Sequence, residues 1–363
     1  MKKILFVFNH PAPYKVALYN GLSSFFDIHV IFERLKAKNR PALFYYEKQY
    51  AFKLHKINGM SLGKENFLSW GIKKELKRNT YDLVIINGYS TLAEMIGLHF
   101  LKSRHIPYLF AINGGIVKKE SKLKSWFKKK MLQGAYRYLS PSPIADEYLL
   151  HYGIEKERII HYPYSTIKTE EIPTALLSNK EKNMFWKAKN ISHSHVFISF
   201  GQFIARKNNV RLLRLWSKVN PDYALILIGY GPERKKYQSL LKKEHLSNVY
   251  IFPFMNHSDL LKFIRYADGA IFLSQEDIYG HMINEALSQG LPVIASNKII
   301  SARSLIKEGN NGFLVDASSE KDIIDRIDKI QADMSYSALE TAKNNTIEKM
   351  ISAHKAIIED LCL

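Results

Sequence analysis

Cysteine is nearly absent from this 363-residue chain: Cys362, beside the last residue, is the only one. That excludes an internal disulfide and any cysteine-based metal site. The sequence also lacks a D-x-D motif and any His, Asp and Glu cluster at metal-ligand spacing. We therefore expect no metal and no bound cofactor. Long apolar runs are missing as well. The longest, ILFVF and ALILI, are strand-length, far short of the ~20 residues that a membrane-spanning helix needs. The opening MKKILFVFNHPAP imitates a secretory leader only briefly. Its apolar run breaks at Asn9–His10–Pro11, shorter than the roughly 7–15 residues of a signal h-region. A first β-strand and cytoplasmic residence are the expectations. There is no low-complexity tract and no internal repeat.

Acidic residues are scarce, 34 against 53 basic ones, giving a net charge of +19. The imbalance is uneven: residues 1–165 hold 27 Lys and Arg against 12 Asp and Glu, and the remainder 26 against 22. A basic first part and a near-neutral second part imply that one domain faces an anionic partner. Nucleic acid is not expected, because no nucleic-acid motif accompanies the charge.

What is present is a rhythm of short apolar runs and helical stretches. Strand-like KILFVFN, DIHVIFE, AFKLHKI, DLVIIN, YLFAI, YRYLS and RIIHYPY occupy the first half; VFISFG, ALILIG, VYIFPF, GAIFLS, LPVIAS and GFLV occupy the second. Alternation of this kind implies parallel sheets covered on both faces. The length suits two domains. We expect an α/β fold of two Rossmann-like doubly wound domains, residues 1–165 and 166–335, with strand C-terminal ends facing one cleft. Polar Thr166–His195 reads as the connection, and 336–363 as a helical segment packing back toward the first domain.

The chemistry concentrates between Ser274 and Asp316. Asp277 and Glu285 lie eight positions apart around a helix start led by Gly280 and His281. The backbone N–H groups of Gly280, His281, Met282 and Ile283 would face an anion such as a diphosphate. The two carboxylates could accept hydrogen bonds from sugar hydroxyls. The bland alternative makes Glu285 a helix-dipole carboxylate and Asp277 a loop residue. Arg206 and Lys207, in GQFIARKNN, are delivered to a strand end, either to neutralise a leaving diphosphate or as a solvated helix start. The GYGPE turn with Gly231 suits close backbone approach to a ligand or a plain tight turn. Phe252–Pro253–Phe254 could wall a nucleobase or pack in the core.

Taken together these motifs resemble the retaining glycosyltransferases of family 4. That resemblance implies the GT-B fold, two facing Rossmann-like domains with the donor held mainly by the second. The family's two glutamates flanking seven residues fall on Asp277 and Glu285, the first being aspartate here. The resemblance gives Glu285 the ribose hydroxyls and Asp277 the transferred sugar. The family lysine falls on Lys207, while its usual arginine is Gln202 here, so Arg206 substitutes. The turns EALSQGLPVIAS and EGNNGFLV match the family pattern. In the first domain the loop after the first strand reads NHPAPYK, where Pro13 and Tyr14 could touch acceptor or phosphate. A position that often holds histidine or aspartate is Asn113. Asparagine cannot be a general base, so a hydrogen bond to sugar or acceptor is its expected role.

Residues 117–132, VKKESKLKSWFKKKML, carry seven lysines and one glutamate. Leu123, Trp126, Phe127 and Met131 share one helical face, the pattern of an interfacial anchor; Lys122, Trp126, Phe127, Lys129 and Lys130 would meet the membrane. An ordinary stripe docked in the core is the alternative. The expected function is a metal-independent, retaining, hexosyltransferase-type enzyme. It would move a sugar from a UDP- or GDP-linked donor onto a hydroxyl of a lipid-linked saccharide, in surface polysaccharide or glycolipid synthesis. It would work as a peripheral protein at the cytoplasmic membrane face, with Asp277, Lys207 and Asn113 as catalytic residues. Two other readings stand beside it: a sugar-nucleotide epimerase, and a non-catalytic membrane- or polyanion-binding protein on a degenerate scaffold.

Overall fold

Every strand-like run named above forms a strand, and all thirteen lie in two wholly parallel sheets. The computed structural model describes residues 1–36, 40–46, 49–62, 66–78 and 80–361, so Cys362 lies outside the described residues. The chain divides into two compact units, Met1–Ser165 with Thr346–Leu363, and Thr166–Asn345.

In the first unit, seven parallel strands run from one edge to the other as Lys53–Lys56, Asp27–Phe32, Lys3–Phe8, Leu83–Asn87, Leu109–Ala111, Arg137–Ser140 and Ile159–His161. The central strands are buried along almost their whole length, as a sheet covered on both faces requires. A separate antiparallel pair, Asn58–Leu62 with Asn66–Trp70, was not anticipated. NGMSL and NFLSW contain no β-branched residue, and two aromatics among Asn, Gly and Ser give only a weak strand signal.

The segment expected as one helix from Tyr336 is two, Met334–Lys343 and Ile347–Leu361. The break falls at Asn344–Thr346, where Asn284 Nδ2 donates to the Asn345 carbonyl at 2.8 Å. Their apolar faces belong to different cores. Ala338, Leu339 and Ala342 are buried in the second unit. The final helix lies on Pro13–Leu22 so closely that a Cβ at Gly21 would overlap Ile351.

In the second unit the order is Val249–Phe252, Tyr223–Tyr230, His195–Gln202, Gly269–Phe272, Val293–Ser296, Gly312–Val315. Successive residues serve opposite faces: Val196, Ile198 and Phe200 enter one apolar cluster, Phe197 the other. The order reverses between His195–Gln202 and Gly269–Phe272, and loops leaving the C-terminal ends of those strands open a crevice. Thr166–His195 is not a free connection. It contains the helix Asn179–Lys187, whose Trp186 is 2% exposed and donates from Nε1 to the Tyr266 carbonyl at 2.8 Å. Phe185 stacks on Tyr266 with centroids 4.0 Å apart. Two adjacent aromatic residues in a polar stretch suffice to dock it.

Candidate active site in the second unit

The strand His195–Gln202 runs out at the reversal point, and Phe203 then turns inward, fully buried against the Tyr237 ring. The short 3₁₀ turn Ala205–Lys207 ends at Asn208, whose φ of 60° starts the helix Asn209–Trp216. Asparagine tolerates that left-handed conformation better than most residues. Leu212, Leu213, Leu215 and Trp216 anchor the helix in the core. This turn places Arg206 and Lys207 at the strand's C-terminal end.

The loop after Gly269–Phe272 is stitched to that turn. The Gln275 amide donates to the Arg206 carbonyl at 2.8 Å, and Arg206 Nη1 donates to the Glu276 carbonyl at 3.2 Å. Asp277 is fixed from the other side, its amide donating to the Lys298 carbonyl at 3.2 Å. Its carboxylate, on a residue 8% exposed, meets Lys207 Nζ at 2.5 Å and Arg206 Nη1 at 3.4 Å. Burial works against the Asp277 charge, but the charge and hydrogen bond of Lys207, with Arg206 and His281, outweigh it and hold the carboxyl below its usual range. Burial lowers the Lys207 ammonium, and Asp277 opposes that fall. Two cations thus converge on one carboxylate, leaving an excess of positive charge.

Gly280 has φ of +96°, and a Cβ there would come within 2.6 Å of Ile299 Cγ2. Only glycine makes this turn without strain. The turn does not present four free amides as expected. Ile283 donates to the Gly280 carbonyl at 3.1 Å, and the helix itself is short, Met282–Ser288 after His281. Gly231 is spent similarly, its Cα packed so tightly on the Phe203 carbonyl that any side chain would collide.

Glu285 is half-buried and its Oε1 accepts from Thr166 Oγ1 at 2.9 Å. Burial raises its pKa; the charge of His257, the Thr166 bond and Lys207 pull it back, and Glu171 pushes it up again. Lys207 therefore lies within electrostatic reach of both carboxylates, Asp277 and Glu285. Thr166, Glu171 and His257 carried no sequence signal: each is roughly 30 to 120 positions from Glu285, and only the fold gathers them. Among the described residues no three His, Cys, Asp or Glu side chains form a group that could hold a metal.

Not all of the expected residues lie in the second unit. Asn113 lies in the first unit, two residues past the strand Leu109–Ala111, and its Oδ1 has no hydrogen-bond partner among the described residues. Tyr14 is likewise in the first unit, its hydroxyl accepting from Tyr164 at 2.9 Å. The helix Lys122–Leu132 buries only Leu132. Leu123, Trp126 and Phe127 are 76%, 58% and 39% exposed, so the stripe is not docked in the core. Lys122, Lys129 and Lys130 are exposed beside it.

Comparison with known proteins bears on this geometry. Residues 180–349, which cover most of the second unit, match the family model described as glycosyl transferases group 1. An uncharacterized glycosyltransferase of Methanocaldococcus jannaschii, MJ1059, is 26% identical over 243 residues, 56% of this chain and 58% of that protein. The lipopolysaccharide core biosynthesis glycosyltransferase LpsE of Rhizobium meliloti is 28% identical over 140 residues, 39% of this chain and 40% of its own. The chain spans about half the length of the curated relatives it matches. Among solved structures, Anabaena Alr3699/HepE in complex with UDP superposes with a TM-score of 0.80 at 18% identity, covering 99% of both chains. The fold is that of the GT-B glycosyltransferases.

If Lys207 is the main counter-charge of Asp277, Lys207→Met should lower unfolding free energy by about 1–3 kcal/mol at pH 7. Asp277 is depressed in the fold, so its contribution is present at neutral pH and lost as pH falls through its folded value. The variant's deficit should therefore persist at pH 5 and shrink below about pH 4. Urea denaturation at several pH values checks this, and an undiminished transition at pH 7 would assign Asp277 to Arg206 alone.

Proposed function

We propose that the protein is a retaining glycosyltransferase that takes its sugar from a nucleoside-diphosphate donor, with UDP the best-supported nucleotide. The observation that carries this reading is the convergence of Lys207 and Arg206 on Asp277 at the reversal of the second sheet, with Glu285 in reach. The group 1 domain over the same residues and the UDP-bound HepE neighbour support it. In this reading Lys207 and Arg206 take up the negative charge that grows on the departing diphosphate. Such stabilisation in a dry site is worth roughly 3–4 kcal/mol per important donor. Asp277 aims both cations and lies beside the transferred sugar, while Glu285 accepts hydrogen bonds from the ribose hydroxyls. The departing phosphate takes the acceptor proton in a front-face displacement, so Asn113 serves as a hydrogen-bonding residue and no side-chain base is required. No metal or cofactor enters the reading.

The acceptor is a hydroxyl of a lipid-linked saccharide, and the enzyme works as a peripheral protein at the cytoplasmic face of the membrane. The exposed Leu123, Trp126 and Phe127, flanked by lysines, support this side of the reading. The helix is fastened from behind. Lys128 pairs with Glu120 at 2.6 Å, and Lys102 Nζ donates to the carbonyls of Lys130 and Met131 at 2.8 and 3.0 Å. Its apolar face is thus held outward, and each lysine near an anionic leaflet adds about 1 kcal/mol. No helix among the described residues is long and apolar enough to cross a membrane.

Glu285→Ala should reduce kcat/KM for a UDP-sugar about 100-fold, the loss of a charged hydrogen bond pair, while the melting temperature stays near that of the wild type. Near-normal turnover would reject the assignment. Trp126→Ala with Phe127→Ala should weaken sedimentation with phosphatidylglycerol vesicles at least about tenfold. Equal binding by the double variant, or by phosphatidylcholine vesicles alone, would remove the helix from the account.

A further inference from the structure

The first unit has a reversal of strand order of its own, between Lys3–Phe8 and Leu83–Asn87, and a lysine is buried beside it. Lys15, in the helix Pro13–Leu22, is 2% exposed. Its Nζ donates to Asn87 Oδ1 at 3.1 Å and lies 5.1 Å from the ring centroids of both Phe8 and Tyr164. An ammonium carries three donors. Among the described residues this one makes no second hydrogen bond and has no carboxylate partner. A buried charge without a counter-ion is costly, and burial lowers the ammonium to about 7 with no acidic group opposing the fall. Asn87 is 8% exposed, and with Oδ1 taken by Lys15 its Nδ2 has no partner among the described residues. Val7 lies opposite Ile86 and Asn87 opposite Ala111. Asn9 and Asn113 therefore follow the C-terminal ends of the two flanking strands, and the Oδ1 of each is buried without a partner among the described residues. Ligands of parallel sheets bind at such strand ends, where the order reverses.

We propose that Lys15 and Asn87 form a phosphoryl-binding site in the first unit, one that takes a phosphorylated saccharide. The Lys15 ammonium and the Asn87 Nδ2 group hold the phosphate, and Asn9 and Asn113 accept from hydroxyls beside it. A lysine is a point charge that suits a tetrahedral phosphoryl group, whereas the planar fork of arginine is the better match for a carboxylate. The apolar walls of Phe8 and Tyr164 strengthen the attraction of the ammonium for an anion. The site does not rest on the donor reading, because every group in it belongs to the first unit. A purely structural Lys15 would instead be held for its contacts with the two rings and with Asn87, and its removal would destabilise the fold.

Calorimetric titration with glucose-1-phosphate, beside thermal unfolding of the same proteins, tests this. Lys15→Met removes the charge at similar volume. It should raise the Kd at least about tenfold, while the melting temperature stays at or above that of the wild type because a buried unpaired charge is gone. Asn87→Asp, which sets a carboxylate against Lys15, should also raise the Kd at least about tenfold and hold or raise the melting temperature, by supplying an internal counter-ion. Lower melting temperatures in both variants would make Lys15 a structural residue, and unchanged affinity in both would remove the site. Tighter binding of glucuronate than of glucose-1-phosphate, or no binding of glucose-1-phosphate by the wild type, would also overturn the proposal. UDP-glucose separates the two sources of the phosphoryl group. A matching loss in Lys15→Met assigns it to the donor's diphosphate, and an unchanged Kd assigns it to a phosphorylated acceptor.

Discussion

The ion pair between Lys207 and Asp277 organises the second unit's crevice. A buried ammonium is costly to maintain, and its partner must be fixed before the lysine can be. The fold meets that demand by stitching two loops together where the strand order reverses, through the Gln275 amide on Arg206 and the Asp277 amide on Lys298. The Gly280 turn and Ser301, whose hydroxyl donates to the Gly280 carbonyl at 2.7 Å, close the same loop from beneath. Cation placement is thus a consequence of sheet topology, because no other pair of strand ends in the second sheet diverges in this way.

Charge is layered around that pair. In the proposed reaction Lys207 and Arg206 serve an anion, and Glu285, one turn into the next helix, serves neutral hydroxyls. The two functions demand opposite charges within electrostatic reach of each other. Burial disfavours the charge of both Lys207 and Glu285. The other group opposes this in each case, together with Asp277 for the lysine and His257 and Thr166 for the glutamate. A change at any one of these groups should therefore be felt at the others.

Much of this was legible in the sequence where one physical rule dominates. Buried parallel strands are continuous apolar runs, so all thirteen declared themselves; Asp277 and Lys207 were each singled out, but their direct pairing was not anticipated. The sequence was silent where long-range contacts decide. The hairpin Asn58–Leu62 with Asn66–Trp70 has little strand-forming composition. Helix Asn179–Lys187 is too polar to look docked until Trp186 finds the Tyr266 carbonyl. The Ile283 amide looked free because a turn's internal hydrogen bonds cannot be read from spacing. The basic helix was ambiguous for a further reason: its stripe would look the same facing a core or a bilayer, and the exposure of Leu123 and Trp126 excludes the core.

The most direct test of a donor site at this crevice is a thermal-shift series with UDP, GDP, ADP and their glucose conjugates, run in EDTA. The account predicts stabilisation that is selective for the uridine compounds and unaffected by chelation, because side-chain cations hold the diphosphate. Absence of stabilisation by any nucleotide, or stabilisation only when divalent metal is restored, would contradict it.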